Sequence, residues 1–176
     1  MTDRSSAGFS VRAGKVMIVA SWILVALLLT LAFGNYLERQ HNPNRTIDSR
    51  VTENLVREVV LKRNRAGHYV ATGQINGKPV DFLLDTGATT VSVPNGFAER
   101  LGLRRGPRLQ AITANGVITT YSTTLAQVSL GDILLKDVQA SINPHTNTDE
   151  VLLGMAFLKH LELVQRGDTL TLRQYP

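Results

Sequence analysis

Residues 16–33, VMIVASWILVALLLTLAF, run for 18 positions without a charged side chain, and no other feature restricts the chain's folding as strongly. The run is too uniformly apolar for a core helix of a soluble domain, and it exceeds the roughly 7–15 apolar residues of a cleaved signal peptide. It falls at the short end of the ~17–25 residues that a bilayer-crossing helix needs. Ala32-Phe33-Gly34 makes a poor small-x-small cleavage site, so the expectation is an uncleaved single-pass anchor in the lipid bilayer. Arg4, Arg12 and Lys15 precede it, whereas Arg39 and Arg45 follow, balanced by Glu38 and Asp48. That bias puts the N-terminus in the cytoplasm and the C-terminal part outside, which in a bacterium means the inner membrane and the periplasm.

The anchor divides the chain into residues 1–15 (cytoplasmic), 16–33 (transmembrane helix), 34–57 (linker or stalk) and 58–176 (a folded domain). The linker contains Asn42-Pro43, with Ile47, Val51, Leu55 and Val59 recurring every four residues, a pattern that allows one amphipathic helical stretch or a disordered stalk. From residue 58 the pattern is that of strands: EVVLKR, HYVATGQI, KPVDFLL, RLQAITANGVITTYSTTLAQVSL, ILLKDVQASI and DTLTLRQY. Asn76-Gly77 separates two of them as a hairpin signal. Two short helices are expected, one over NGFAERLG with Asn95 as N-cap and Gly102 as stop, and one after Gly154 through MAFLKHLE. The expected fold is mostly β.

Composition removes several classes of chemistry. The chain has no Cys, which rules out disulfides, thiolate zinc sites and cysteine nucleophiles. His41, His68, His145 and His160 are scattered and form no H-E-x-x-H; no metal and no cofactor is expected. G-x-S-x-G and the phosphate-binding P-loop are absent too. The net charge is +5, with basic runs at Arg57, Lys62, Arg63, Arg65 and at Arg100, Arg104, Arg105, Arg108. Without interleaved aromatics these runs read as a solvated face or one toward anionic lipid headgroups, and no nucleic-acid partner is expected.

One carboxylate stands out. In FLLDTGATTVSVP, residues 82–94, Asp85 ends an apolar run that reads as buried on both faces and is followed by a second apolar strand. A buried ionised carboxylate is costly unless paired or richly hydrogen-bonded. Asp and Gly also favour turns, so the tripeptide alone leaves a simple turn open.

Its surroundings resemble the retropepsin-like aspartic peptidases, in particular bacterial membrane-anchored single-domain members. The resemblance rests on Leu83-Leu84-Asp85-Thr86-Gly87-Ala88, on the Ala114-Asn115-Gly116 turn within QAITANGVITT, and on Leu152-Leu153-Gly154 before a helical segment. It spans about residues 60–176. It implies a closed β-barrel, the single lobe of the acid-protease fold, with two short helices behind the N-terminal transmembrane helix. It also implies Asp85 as catalytic residue, with Thr86 hydrogen-bonding across the site, Gly87 admitting a substrate backbone and Ala88 leaving room beside it. Ala114, Asn115 and Gly116 would form a flap closing over a peptide, and Leu152, Leu153 and Gly154 a structural element near the site.

In that chemistry two aspartates about 3 Å apart share a proton; one activates water while the other donates to the scissile carbonyl. The chain has one such motif, since Asp81, Asp132, Asp137 and Asp168 lack a following Thr-Gly or Ser-Gly, so a homodimer would supply the second Asp85. Many viral relatives carry an acid two residues after the motif glycine and an Arg after the later glycine; here Thr89 and Met155 stand there. The function implied is a membrane-anchored aspartic endopeptidase acting on a protein or peptide. A non-catalytic β-barrel binding or assembly module that retains the fold is the alternative.

Overall fold

Helix formers continue past the apolar run, and so does the helix. The computed structural model describes residues 6–113 and 116–176; its first element, α1 (Ser6–His41), ends where Asn42 precedes Pro43, because proline disfavours the helical conformation of the residue before it. From Gly14 to His41 the helix is long and apolar enough to cross a membrane, by length and composition. The boundary between two compact units falls between Arg39 and Gln40.

Residues 42–57 form neither a helix nor a featureless stalk. Asn42 and Asn44 are almost completely buried, and Asn44 bridges two strands: its side-chain amide donates to the carbonyls of Lys62 and Val70 (2.9 and 2.7 Å), while its Oδ1 accepts the Lys62 N–H at 2.7 Å. Asn42 Nδ2 donates to Thr72 Oγ1 and to Asp81 Oδ1 at 2.9 and 3.0 Å. Buried amides are tolerated because these bonds satisfy them. A strand follows, β1 (Asp48–Val51). The four-residue spacing of apolar residues allows one helical stretch or a disordered stalk, but pairing of β1 with the next strand supplies the backbone bonds instead.

The remaining elements are β2 (Arg57–Lys62), β3 (Val70–Ile75), β4 (Lys78–Leu84), β5 (Val91–Pro94), α2 (Asn95–Leu101), β6 (Arg108–Thr113), β7 (Gly116–Leu130), β8 (Ile133–Asn143), β9 (Val151–Leu153), α3 (Met155–Leu158), β10 (Glu162–Arg166) and β11 (Thr169–Gln174). Asn76 and Gly77, with φ of 51° and 77°, make the two-residue β3–β4 turn in which both central residues need positive φ. Strands β3, β4, β9, β5, β8 and β7 lie in that order, and β7 pairs back onto β3 through Gln74↔Ser129 and Ile75↔Val128. The barrel is therefore closed. Strand β6 lies outside the ring and, among the described residues, is hydrogen-bonded to β7 alone. The fold is the mostly-β closed barrel that the sequence led us to expect.

Val80, Phe82, Leu125, Val128, Ile142, Val151, Leu153 and Phe157 fill its core. Removing the fully buried Phe82 side chain alone would cost about 3–5 kcal/mol. One detail differs from the sequence reading: the N-cap of α2 is Pro94, not Asn95. Strand pairing runs through Pro94 into the helix, and the Asn95 amide donates to Glu99 Oε1 at 2.8 Å instead of capping. Gly102 takes the left-handed stop conformation, φ 69°.

A second sheet, ordered β1-β2-β11-β10, carries a row of alternating charges. Its registers place Arg50 opposite Glu58, Glu58 opposite Arg173 and Arg173 opposite Glu162. Glu58 is buried; Arg173 Nε donates to one of its oxygens at 2.7 Å and Arg50 to the other. Tyr175 and Arg173 donate to Glu162. Hydrogen bonding from Arg173 foremost, then from Arg50, holds the Glu58 carboxyl below its ordinary 4.5, against the opposing effect of burial. A carboxyl lowered in the folded state stabilises the fold fully above its unfolded value and loses that contribution as pH falls through the folded one. Thermal midpoints measured between pH 6 and pH 2 are therefore expected to fall below about 4.5. The decline should be shallower in Glu58→Gln; an identical slope would show that the ladder does not carry it.

Candidate active site

Strand β4 delivers Asp85 where the chain leaves the barrel, and main-chain bonds fix it there. The Asp85 N–H donates to the Leu153 carbonyl at 3.2 Å, extending the parallel β4–β9 pairing (Phe82↔Val151, Leu83↔Leu152, Leu84↔Leu153) by one residue. Asp85 Oδ1 accepts the Gly87 N–H at 2.8 Å, and the Asp85 carbonyl accepts the Ala88 N–H at 3.2 Å. These two bonds close a turn of the kind Asp favours. They leave Oδ2 with no partner among the described residues.

The loop is held from below by the start of α3. Met155 N–H donates to the Ala88 carbonyl at 2.7 Å and Ala156 N–H to the Thr89 carbonyl at 2.9 Å, so donors that a helix start leaves unpaired meet loop carbonyls that need them. Gly154 makes this possible. A Cβ there would stand 2.5 Å from the Ala88 carbonyl oxygen and closer still to that of Thr90. Its backbone is extended, φ −91° and ψ −170°, so space alone demands the glycine. At the far end of the loop, just before β5, Thr90 Oγ1 and Ser141 Oγ are 3.1 Å apart, tying the loop to β8. Sequence reading missed this pair, and no local signal marks a serine 56 positions from the aspartate.

The structure thus brings together Asp85, Gly87, Ala88, Leu153 and Gly154. Burial differs from expectation: Phe82 is fully buried, but Leu83, Leu84 and Asp85 are half-buried, while Thr86 and Gly87 are exposed. The apolar run points inward at Phe82, whereas Leu83 and its register partner Leu152 point the other way and are only partly covered within one chain. Thr86 has no hydrogen-bond partner among the described residues. Asp81 and Asp132 are engaged elsewhere, Asp81 with Thr72 and Asn42, Asp132 with Ser49. Of the expected flap, Ala114 and Asn115 lie outside the described residues. Gly116, φ 111°, starts β7, and the adjoining pair Ile112↔Val117 is exposed, Ile112 to 89%. No group of three or more metal-binding side chains occurs among the described residues.

The sequence profile of the family described as "gag-polyprotein putative aspartyl protease" matches residues 71–160. A Sinorhizobium protein described as "uncharacterized protein in cobV 5′ region" is 33% identical over 168 residues, covering 88% of this chain and 72% of its own. A Rickettsia prowazekii protein is 24% identical over 156 residues, covering 82% of this chain and 64% of its own. Among solved structures, a retropepsin-like aspartic protease from Rickettsia conorii superposes with a TM-score of 0.58 at 25% identity, covering 73% of this chain and 96% of that one.

The packing at Gly154 makes a sharp contrast with Gly96, where a Cβ would meet nothing within 4 Å. Gly154→Ala is expected to lower stability by at least ~1–3 kcal/mol, the cost of overpacking. Gly96→Ala, inside α2, should be neutral or stabilising by up to about 1 kcal/mol. Denaturant midpoints of the two variants compare them, and equal shifts would contradict the close approach.

Proposed function

The chain belongs to the retropepsin-like aspartic protease family, and from that premise we propose that it is a membrane-anchored endopeptidase whose working unit is a homodimer. The observation that carries this reading is the single Asp85 carboxylate, held by main-chain bonds with one oxygen uncommitted and presented on an open surface. A two-fold partner would bring a second Asp85 beside the first without further sequence. It would also cover the outward Leu83–Leu152 pair and give each Thr86 hydroxyl a counterpart. Two such carboxylates cannot both ionise: one activates the attacking water while the other, protonated, donates to the scissile carbonyl. The exposed Ile112 and Val117 on the β6–β7 hairpin offer apolar surface to a peptide lying across the two loops, and closure would exclude bulk water.

Asp85→Asn preserves shape and removes the shared proton. The variant is expected to fold and to reach the membrane, with peptide hydrolysis reduced by at least about 10²–10⁴-fold. Excess Asp85→Asn chains, mixed with wild type under conditions of exchange, should depress the remaining activity by forming pairs with one carboxylate. Cleavage strictly proportional to wild-type chains would instead require both acids within one chain.

The basic residues before α1's apolar stretch support a cytoplasmic N-terminus and a catalytic unit in the bacterial periplasm. A reporter active only outside the cytoplasm, fused after Pro176, should be active in cells; activity confined to a cytoplasmic reporter would reverse the orientation.

A further inference from the structure

The second basic run of the sequence has no part in the chemistry at Asp85, yet the fold gives it a definite shape. Residues 102–107 link α2 to β6 and lie against the outer side of β7 and β8. Gly106 fastens this loop: its N–H donates to the Ser122 carbonyl at 2.7 Å, the Ser122 N–H returns to the Pro107 carbonyl at 2.9 Å, and a Cβ at Gly106 would come within 2.6 Å of Ser122 Oγ. Arg105 is fixed as well, its guanidinium 5.2 Å from the Tyr121 ring centroid and 2.5 Å from Asn95 Oδ1. Between loop and strands lies an open, shallow cleft of about 530 Å³.

The lining of that cleft is chemically one-sided. Arg104 and Arg105 stand on its loop side, and Thr123, Thr124, Asn76 and Gln139 on the other. Asn76 spends its Oδ1 on the Gln127 N–H, which leaves its amide hydrogens free to donate. The side chains of Arg104, Thr123, Thr124 and Gln139 make no hydrogen bond or ion pair among the described residues, although the backbones of the last three are paired in the β7–β8 ladder. Among the described residues no carboxylate lines the cleft, and its apolar side chains are those of Leu103 and Ala126. A guanidinium fork matches the paired oxygens of a phosphate, and hydroxyl and amide groups suit a hydroxylated body better than a hydrocarbon one.

We propose that this cleft binds a phosphate monoester or diester carried on a small polyhydroxylated body, with Arg104 as the principal anion contact. The proposal is independent of the peptidase reading, since no residue of the cleft belongs to the Asp85 loop. The chemistry is shared by a glycerophosphate in solution and by the headgroup of an anionic phospholipid. Because the loop runs straight into β6, a ligand here would bear on the base of the β6–β7 hairpin.

The test uses the full chain in zwitterionic detergent. Glycerol 3-phosphate is titrated calorimetrically against wild type, Arg104→Gln and, as a control for bulk charge, Arg166→Gln on β10, with thermal midpoints confirming that each variant is folded. The expected result is saturable binding weakened about tenfold or more by Arg104→Gln, the scale of a lost charged hydrogen bond, and less than about twofold by Arg166→Gln. A second arm dopes the micelles with phosphatidylglycerol. Suppression of glycerol 3-phosphate binding identifies the lipid headgroup as a source, and unchanged binding identifies a soluble ester; both fit the proposed chemistry. No saturable binding, or equal losses in the two variants, overturns the site. Tighter, Arg104-dependent binding of a poly-glutamate peptide than of glycerol 3-phosphate also overturns it, in favour of an acidic-peptide surface.

Discussion

The close approach of Gly154 to the Asp85–Thr90 loop is the constraint on which the candidate site depends. Without a side chain at that position, β9 enters between β4 and β5, its Leu153 carbonyl takes the Asp85 N–H, and the start of α3 takes the carbonyls of Ala88 and Thr89. Every bond in this arrangement is made by the main chain. The backbone of Asp85 is thereby fixed independently of side-chain rotamers, and the Gly87 N–H then orients its carboxylate; acid–base chemistry requires pre-organisation of this kind of its scaffold.

That arrangement is backed by polar groups far from it in sequence. Asn42 and Asn44 join the segment after α1 to β2, β3 and β4, and Asn42 and Thr72 hold Asp81, four residues before Asp85 on the same chain segment. His41 lies 2.5 Å from Glu150, which immediately precedes β9. The two strands that position Asp85 are thus both tied to residues 41–44. The Arg50–Glu58–Arg173–Glu162 row performs a comparable task for the second sheet, where β1 pairs with β2 and so joins the barrel's neighbouring layer.

Half-exposed Leu83 and Leu152, the exposed Thr86 and the exposed hairpin residues Ile112 and Val117 share a physical meaning: they are surfaces suited to being covered. Apolar groups in water favour burial, and in the proposed dyad a single Asp85 carboxylate lacks its proton-sharing partner. The proposed dimer and the proposed peptide substrate answer these separate needs with one assembly.

Sequence by itself determined the features whose signals are local. The uncharged run at 16–33, the Asn76-Gly77 turn, the Gly102 stop, the strand alternation and the Asp85-Thr86-Gly87 motif each rest on residues within a few positions of one another, where propensity and periodicity act directly. Tertiary structure alone decided the rest. A three-residue strand such as β9 has no period to read, and its parallel pairing with β4 joins residues nearly 70 positions apart. The closure of β7 onto β3, the burial of Asn42 and Asn44 in what reads as a polar linker, and the Thr90–Ser141 contact depend on partners that no local pattern names. The same holds for Leu83, where an apolar run promised full burial and the fold left its face open, because burial is a property of what packs against a side chain and not of the side chain itself.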